Sequence, residues 1–237
     1  AATAAAGTTA TGLDAIGGKV ATDVTAEEVT KAQTDLNTAG VTVGDKTVTL
    51  YVQPYLDITV TGAEVNTAEG STPTTASLSL EITPMIKKVA STAENAGAIK
   101  TEGEGKNAVQ IGAAQKVLNV NTPVTIKLAL PTGFAQAGDK LSIKHTKENG
   151  SIEYYTGTVS TESEEGSAKT YVTFTTNGFS PFVIYAASAN VASIGNNVYP
   201  SFQAAVDAAQ NNDEITLLKG DAVSATMTGS SKTIKVK

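Results

Sequence analysis

Cysteine, tryptophan and arginine are all missing from this 237-residue chain. With no Cys there can be no disulfide framework, no thiol nucleophile and no thiolate metal site. With no Arg the planar fork that grips phosphate or carboxylate bidentately is gone, and all 17 basic residues are Lys. One His is too few for a His-rich zinc site. No apolar run approaches the roughly 18 residues that a membrane helix requires, so no membrane span is expected. The 23 acidic residues leave a net charge of −6, which opposes attraction to phosphate backbones and anionic membranes. Nucleic acid is therefore not an expected partner, and no metal or cofactor is expected.

What is present points to strands. Aromatic residues make up only 5%, but hydrophobic residues reach 41%, enough for an aliphatic core without staples. Thr occupies 36 positions, and its β-branched side chain suits a pleated surface. The length allows one large or two modest domains. The first residues, AATAAAGTTATG, carry neither an initiating Met nor a leader pattern, and the last, KTIKVK, alternate like a strand with no closing turn. Both ends read as those of a mature form or a fragment.

Hydrophobic spacing divides the chain into three expected parts. Residues 1–45 read as an Ala/Thr/Gly-rich flexible lead-in followed by a helix. Thr25 and Glu28 form a capping box, Val29, Ala32 and Leu36 recur at helical spacing, and Gly40 ends the run. From Lys46 the period drops to 2: Val48, Leu50 and Val52, then Leu56, Ile58 and Val60, with Pro54 suggesting an edge or a bend between them. Further alternating runs are Leu78, Leu80 and Ile82, then Val124, Ile126, Leu128 and Leu130, with a shorter one in KVLNV (residues 116–120). Residues 89–108 and 160–169 read as polar surface inserts. Asn149-Gly150, between two alternating runs, predicts a hairpin with a type I′ turn. The stretch TTNGFSPFVIYAA (175–187) reads as the last core strand, apolar on both faces, with Pro181 needing an edge or a bulge. Seven or more strands with one wetted face predict an antiparallel β-sandwich over residues 46–187. Residues 188–237 form a small β-α-β unit, joined through the small residues 186–190: a short strand, a turn, a helix capped by Ser201, and the strand EITLLK.

No catalytic constellation emerges, so no catalytic, cofactor-binding or metal residue is assigned and the ligand-binding residues stay unknown. His145 shares strand parity with Leu141 and Ile143 near the hairpin end and reads as structural. Glu102/Glu104 and Glu162, Glu164 and Glu165 pair carboxylates as glycosidases do, but in Gly/Ser-rich loops that lack the apolar company needed to raise one pKa. The D-x-D-x-D-G calcium pattern is missing. Gly103 to Asn107, GEGKN, lacks the spacing of a phosphate loop. Asn149-Gly150-Ser151 matches a glycosylation acceptor but already serves as a turn. Tyr51, Tyr55, Tyr154, Tyr155 and Tyr171 could stack on sugars, and their strand-like settings favour packing instead.

The segments PYLDITV, SLEITPMIKKVAS, PVTIKLALP, AGDKLSIKHTKENGSIEYYTGTV and YVTFTTNGFSPFVIYA together resemble an Ig-like β-domain of large multi-domain surface proteins of anaerobic Firmicutes. The likeness spans about Val48 to Ala186. The segment ASIGNNVYPSFQAAVDAAQNNDEITLLKG is similar to one that caps the start of a right-handed parallel β-helix in such proteins. The resemblance implies rungs after the helix, with residues 214–218 first and KTIKVK second. It also implies an extracellular, non-catalytic stalk or adhesin module of the bacterial cell surface. Expected partners are a host or environmental glycan or protein, or neighbouring copies of the chain. Two other roles fit the same features: an accessory part of a carbohydrate-active enzyme, and a self-assembling surface-layer or filament subunit. A Thr-rich sandwich of this kind could also carry a Lys-Asn isopeptide cross-link.

Overall fold

A computed structural model describes residues 2–3, 9–11, 26–66, 74–116, 122–164, 167–179, 181–220, 223–227 and 232–237. The chain is mainly β and divides into two compact units. The first comprises Ala1–Ala10, Ile58–Ile82 and Pro123–Lys237, the second Thr11–Asp57 and Thr83–Thr122. The expected boundary at Ala186 falls inside the first unit. Of the expected lead-in, the described parts are two short strands, β1 (Ala2–Thr3) and β2 (Thr9–Thr11).

In the second unit the predicted helix forms as α1 (Ala26–Thr38). Its capping Thr25 lies outside the described residues. Ala32 and Leu36 are fully buried, and with Val41, Val43, Leu50 and Ala90 they make this unit's core. Gly40 ends the helix at φ +78°, where a side chain would be strained. There Gly40 N–H donates to the Asn37 carbonyl at 3.0 Å and Val41 N–H to that of Leu36 at 2.9 Å, the paired bonds of a Schellman close. Strand β3 (Thr49–Asn66) passes through Pro54 without ending. Among the described residues β1 pairs with β3 at Thr59 and Val60 and not at Pro54, a place where a residue without an N–H is tolerated. Strand β4 (Thr74–Ser91) pairs through residues 85–91 with β5 (Ala108–Lys116). Val89 and Ala90 are therefore buried strand residues, not the start of a surface loop. β5 alternates only briefly, with Val109 and Ile111 packed on the core and Gln110 and Gly112 exposed, too short a run for pattern reading to single out. The KVLNV run lies almost wholly outside the described residues.

The first unit carries the main sheet. Its further strands are β6 (Val124–Ala129), β7 (Lys140–Thr146), β8 (Ile152–Glu164), β9 (Ser167–Thr176) and β10 (Pro181–Tyr185). The strand order is β1-β3-β4-β10-β7-β8-β9-β6-β2, a curled antiparallel sheet of ten strands once β5 is added beside β4. Alternation decides which face is buried, as predicted: Leu78, Leu80, Ile82, Val124, Ile126 and Leu128 are each at most 6% exposed. β10 sits between β4 and β7, with Phe182 and Ile184 fully buried and Val183 and Tyr185 half-buried. Pro181 opens that strand, where a missing donor costs little. The polar insert at 160–169 is not a loop, because β8 and β9 zip through it, with Glu162 opposite Lys169 and Ser163 opposite Ala168.

After β10, a 3₁₀ turn (Ala187–Ala189) leads into strands β11 (Ala192–Ile194) and β12 (Asn197–Tyr199), helix α2 (Phe202–Ala208), β13 (Glu214–Leu217) and β14 (Lys235–Val236). The linker is anchored, since buried Asn190 donates its amide to the Lys140 carbonyl at 2.9 Å. Ser201 caps α2, accepting from Ala204 N–H at 3.1 Å. The helix buries Ala204, Ala205 and Val206 against Ala192, Tyr199 and Ile215. The expected single strand before the helix is a hairpin, because Asn197–Tyr199 pairs back on β11.

Candidate functional site

The most chemically dense place among the described residues is the β7–β8 hairpin of the first unit. Asn149-Gly150 makes the turn, but not as type I′. Only Gly150 takes positive φ (+80°), and its N–H donates to the Lys147 carbonyl at 2.9 Å. This is a type I turn closed by a left-handed glycine, followed by the Lys147–Ser151 backbone bond at 2.9 Å. The longer loop sets Thr146 opposite Ile152 and His145 opposite Glu153.

That register builds a cluster around Glu153. Lys147 Nζ holds Oε1, and Tyr155 Oη donates to Oε2 at 2.8 Å. His145 Nδ1 lies 3.8 Å from Oε2. The Lys147 ammonium holds the Glu153 carboxyl below its ordinary range, aided by the Tyr155 bond and opposed by partial burial. Lys147 is raised in turn, chiefly by its bond to Glu153. Burial pushes His145 below the ordinary histidine value, and Glu153 offsets this only in part. His145 is 2% exposed, stacked on Phe182 with centroids 4.6 Å apart. Against its Cε1 edge lies Gly178, held by Thr176 Oγ1, which accepts from Gly178 N–H at 3.2 Å. The reading of His145 as a structural residue agrees with this burial.

Two surface depressions flank Glu153 and share it with Asn177. The larger, about 610 Å³, is bounded by Ile152, Tyr154 and Tyr155 on β8 and by Ala204, Asp207 and Ala208 on α2. Ile152 is half exposed (49%), and Tyr154 meets Tyr199 edge-on at 5.9 Å. Burial raises the Tyr154 and Tyr155 hydroxyls above their ordinary value. Asp207 accepts from Gln203 at 2.7 Å. The smaller depression, about 560 Å³, is bounded by Lys147, Asn149, Asn177 and Phe179. The arrangement offers aromatic and aliphatic faces beside a rim of amide and carboxylate groups, which suits a ligand with an apolar face and hydroxyls.

The other sequence candidates are not drawn into this site. Tyr171 is fully buried under the Lys127 ammonium, 4.3 Å from the ring centroid, and buried Tyr51 donates to the Ala93 carbonyl at 3.1 Å. Tyr55 stands under Lys87. Glu102 and Glu104 are exposed in the loop of the second unit, while Glu162 pairs with Lys127 in the first. Glu164 ends β8, and Glu165 lies outside the described residues. No group of three or more His, Asp or Glu able to hold a metal occurs among the described residues. In GEGKN, Asn107 closes its own loop, accepting Lys100 N–H at 2.8 Å and donating to Ala98 O at 2.8 Å. Asn149 accepts from Ser151 N–H and Oγ within the turn. For a Lys-Asn cross-link, Lys140 Nζ reaches Asn196 Oδ1 at 2.9 Å, as an exposed hydrogen bond.

Glu153, Lys147, Asn177 and Asp207 escape sequence reading as a group. The first two become neighbours of His145 only through the turn type, and the last two come from loop and helix positions distant in sequence. Comparison with protein-family models, curated proteins and solved structures finds no match.

Proposed function

We propose that the chain is a non-catalytic module of an extracellular bacterial surface protein, of stalk or adhesin type. In this reading the curled sheet is the body of a β-sandwich and the C-terminal hairpin, helix and strands are its β-α-β cap. The observation that carries it is the closed state of the polar cluster. Both Glu153 oxygens are held, and the lone His is buried and kept neutral at pH 7, so neither is poised to move a proton. The half-exposed Ile152, the two tyrosines and the Asp207/Asn177 rim suit reversible adhesion to a glycan or protein.

Purified chain should show no turnover on a panel of glycans and peptides, and binding on a glycan or matrix-protein array should weaken in Asp207→Ala and Asn177→Ala. Hydrolysis of any panel member, abolished by Glu153→Gln, would overturn the reading. The same groove also favours an accessory role beside a carbohydrate-active enzyme. Retention confined to one insoluble polysaccharide, without turnover, would select that role over host adhesion.

A further inference from the structure

The C-terminal strands carry an unfinished pairing. β13 is hydrogen-bonded on both sides, antiparallel to β11 and parallel to β14. Among the described residues β14 is paired on one side only. Lys235 N–H donates to Asp213 O at 2.9 Å, Lys237 N–H to Ile215 O at 3.0 Å, and Lys237 O accepts from Leu217 N–H at 2.9 Å. Strand alternation then turns the N–H and C=O groups of Ile234 and Val236 outward, where no described strand pairs with them.

Side chains repeat the pattern. Ile194, Ile215 and Val236 are direct cross-strand neighbours in one row. Ile215 is fully buried, but Val236, at the end of the row, is 49% exposed. Ile234 packs against the α2 cluster, so among the described residues β14 is the last strand on the core face of this small sheet. On the opposite face the edge presents Lys235 and Lys237, the latter paired inward with Glu214.

We propose that the outer edge of β14 is a strand-addition site for an extended peptide segment in which acidic and apolar residues alternate. An added strand would satisfy the outward backbone groups, and an apolar residue beside Val236 would complete the row. Acids beside Lys235 and Lys237 would repeat what Glu214 does on the inner side. A second copy's β14 is a poor occupant, because it would set Lys against Lys. A second copy's β13 is already paired on both edges. Short, Lys-bearing edges resist indiscriminate pairing, and here the same lysines make the edge selective. The proposal stands apart from the surface-module reading and can fail without it.

The test uses the whole chain and a fluorescent hexapeptide, Thr-Glu-Ile-Glu-Val-Thr, in which two acids on one strand face alternate with two apolar residues on the other. A control peptide has both acids replaced by Lys. Anisotropy titration should show the acidic peptide binding roughly tenfold tighter than the control, with the gap shrinking at 0.5 M salt. Val236→Pro removes one outward donor, leaves the inner bonds intact and should abolish binding while circular dichroism stays unchanged. Lys235→Glu, a second variant that leaves the backbone untouched, should invert the peptide preference. Equal binding of the two peptides, no binding by either, or undiminished binding to Val236→Pro would overturn the proposal. So would a concentration-dependent dimer that Val236→Pro dissolves, which would assign the edge to another copy of the chain.

Discussion

Gly178 sits against the Cε1 edge of the His145 ring, and its replacement by Ala tests how tightly that ring is held. A Cβ built at Gly178 falls 2.6 Å from His145 Cε1, with Nε2 and Nδ1 at 3.4 and 3.5 Å. Real Cβ contacts do not reach 2.6 Å, so something must move. The ring has little room to shift, because it is 2% exposed and its face is stacked on fully buried Phe182 at 4.6 Å. The backbone adds no strain, since Gly178 lies outside the left-handed region. Overpacking of this kind costs about 1–3 kcal/mol. With an m-value of about 2 kcal/mol/M, the urea midpoint should fall by roughly 1 M. As the chain has one histidine, its Hε1 resonance gives an unambiguous readout of the unit that contains the site. His145→Ala frees the space that the new methyl needs, so in that background Gly178→Ala should be neutral. A coupling of about 1 kcal/mol or more is expected from the cycle. If the midpoint shifts equally in both backgrounds, or not at all in either, the ring is not clamped as described and the reasoning fails.

Stability should also fall on acidification. Below the free-histidine value of 6.5 the unfolded chain takes up a proton that folded His145, with its lowered pKa, refuses; stability is complete above that pH and drains as pH falls toward the folded value. Glu153, lowered from 4.5, contributes stability that is present above 4.5 and is lost as pH falls through its folded pKa, so the two groups act in the same direction in successive windows. The slope between pH 7 and 5.5 should stay below the one-proton limit of about 1.4 kcal/mol per pH unit and flatten in His145→Phe; an unchanged slope would assign it to other groups. Lys232 closes the C-terminal end of α2, donating to the carbonyls of Val206 at 2.8 Å and Ala209 at 2.9 Å. Lys232→Met should therefore lower hydrogen-exchange protection across α2 and β13 about five- to thirtyfold, and unchanged protection would remove it from that role. In the second unit, Asn107→Ala should break the two 2.8 Å bonds that close the 92–107 loop and raise proteolytic nicking there severalfold, with no change in the first unit.

Strand faces were readable wherever apolar residues alternate cleanly, because a half-buried sheet forces period 2 on its core. Leu78, Leu80 and Ile82, and the Val124 to Leu130 series, show this. The α1 pattern was equally plain, with Ala32 and Leu36 inward and Gly40 at the stop. β5 was hidden because its alternation stops after Val109 and Ile111, giving way to Ala, Gln and Lys, and its place is set by pairing with β4, which no local window contains. The acidic stretch at 160–169 looked like a loop because charge usually marks one. Its strands hold through cross-strand partners such as Glu162 and Lys169, which single-sequence periodicity does not reveal.

The site shows most sharply why the rest was not legible. A type I′ turn at Asn149-Gly150 would have set Thr146 opposite Glu153 and His145 opposite Tyr154, with the glutamate on the other face from the histidine. The turn that forms holds one more residue, and a shift of one exchanges every side chain between faces. His145 and Glu153 then meet, Lys147 and Tyr155 close on the carboxylate, and Tyr154 is left to pack on Tyr199 and border the groove. Both turns share the same two-letter signal, and what separates them is whether Asn149 takes positive φ, which it does not. A change that forces the shorter turn should therefore do more than alter a loop. Asn149→Gly frees position 149 to take the positive φ that the two-residue turn needs at full chain length, which would set Thr146 opposite Glu153, expel Glu153 from His145, and leave the histidine facing the core margin without its carboxylate. The single Hε1 resonance should move and lose its acid-side response to Glu153, while the β6–β9 pairing, set by its own register, persists. A resonance indistinguishable from that of the parent chain would show that the cluster is held by tertiary packing and not by the turn.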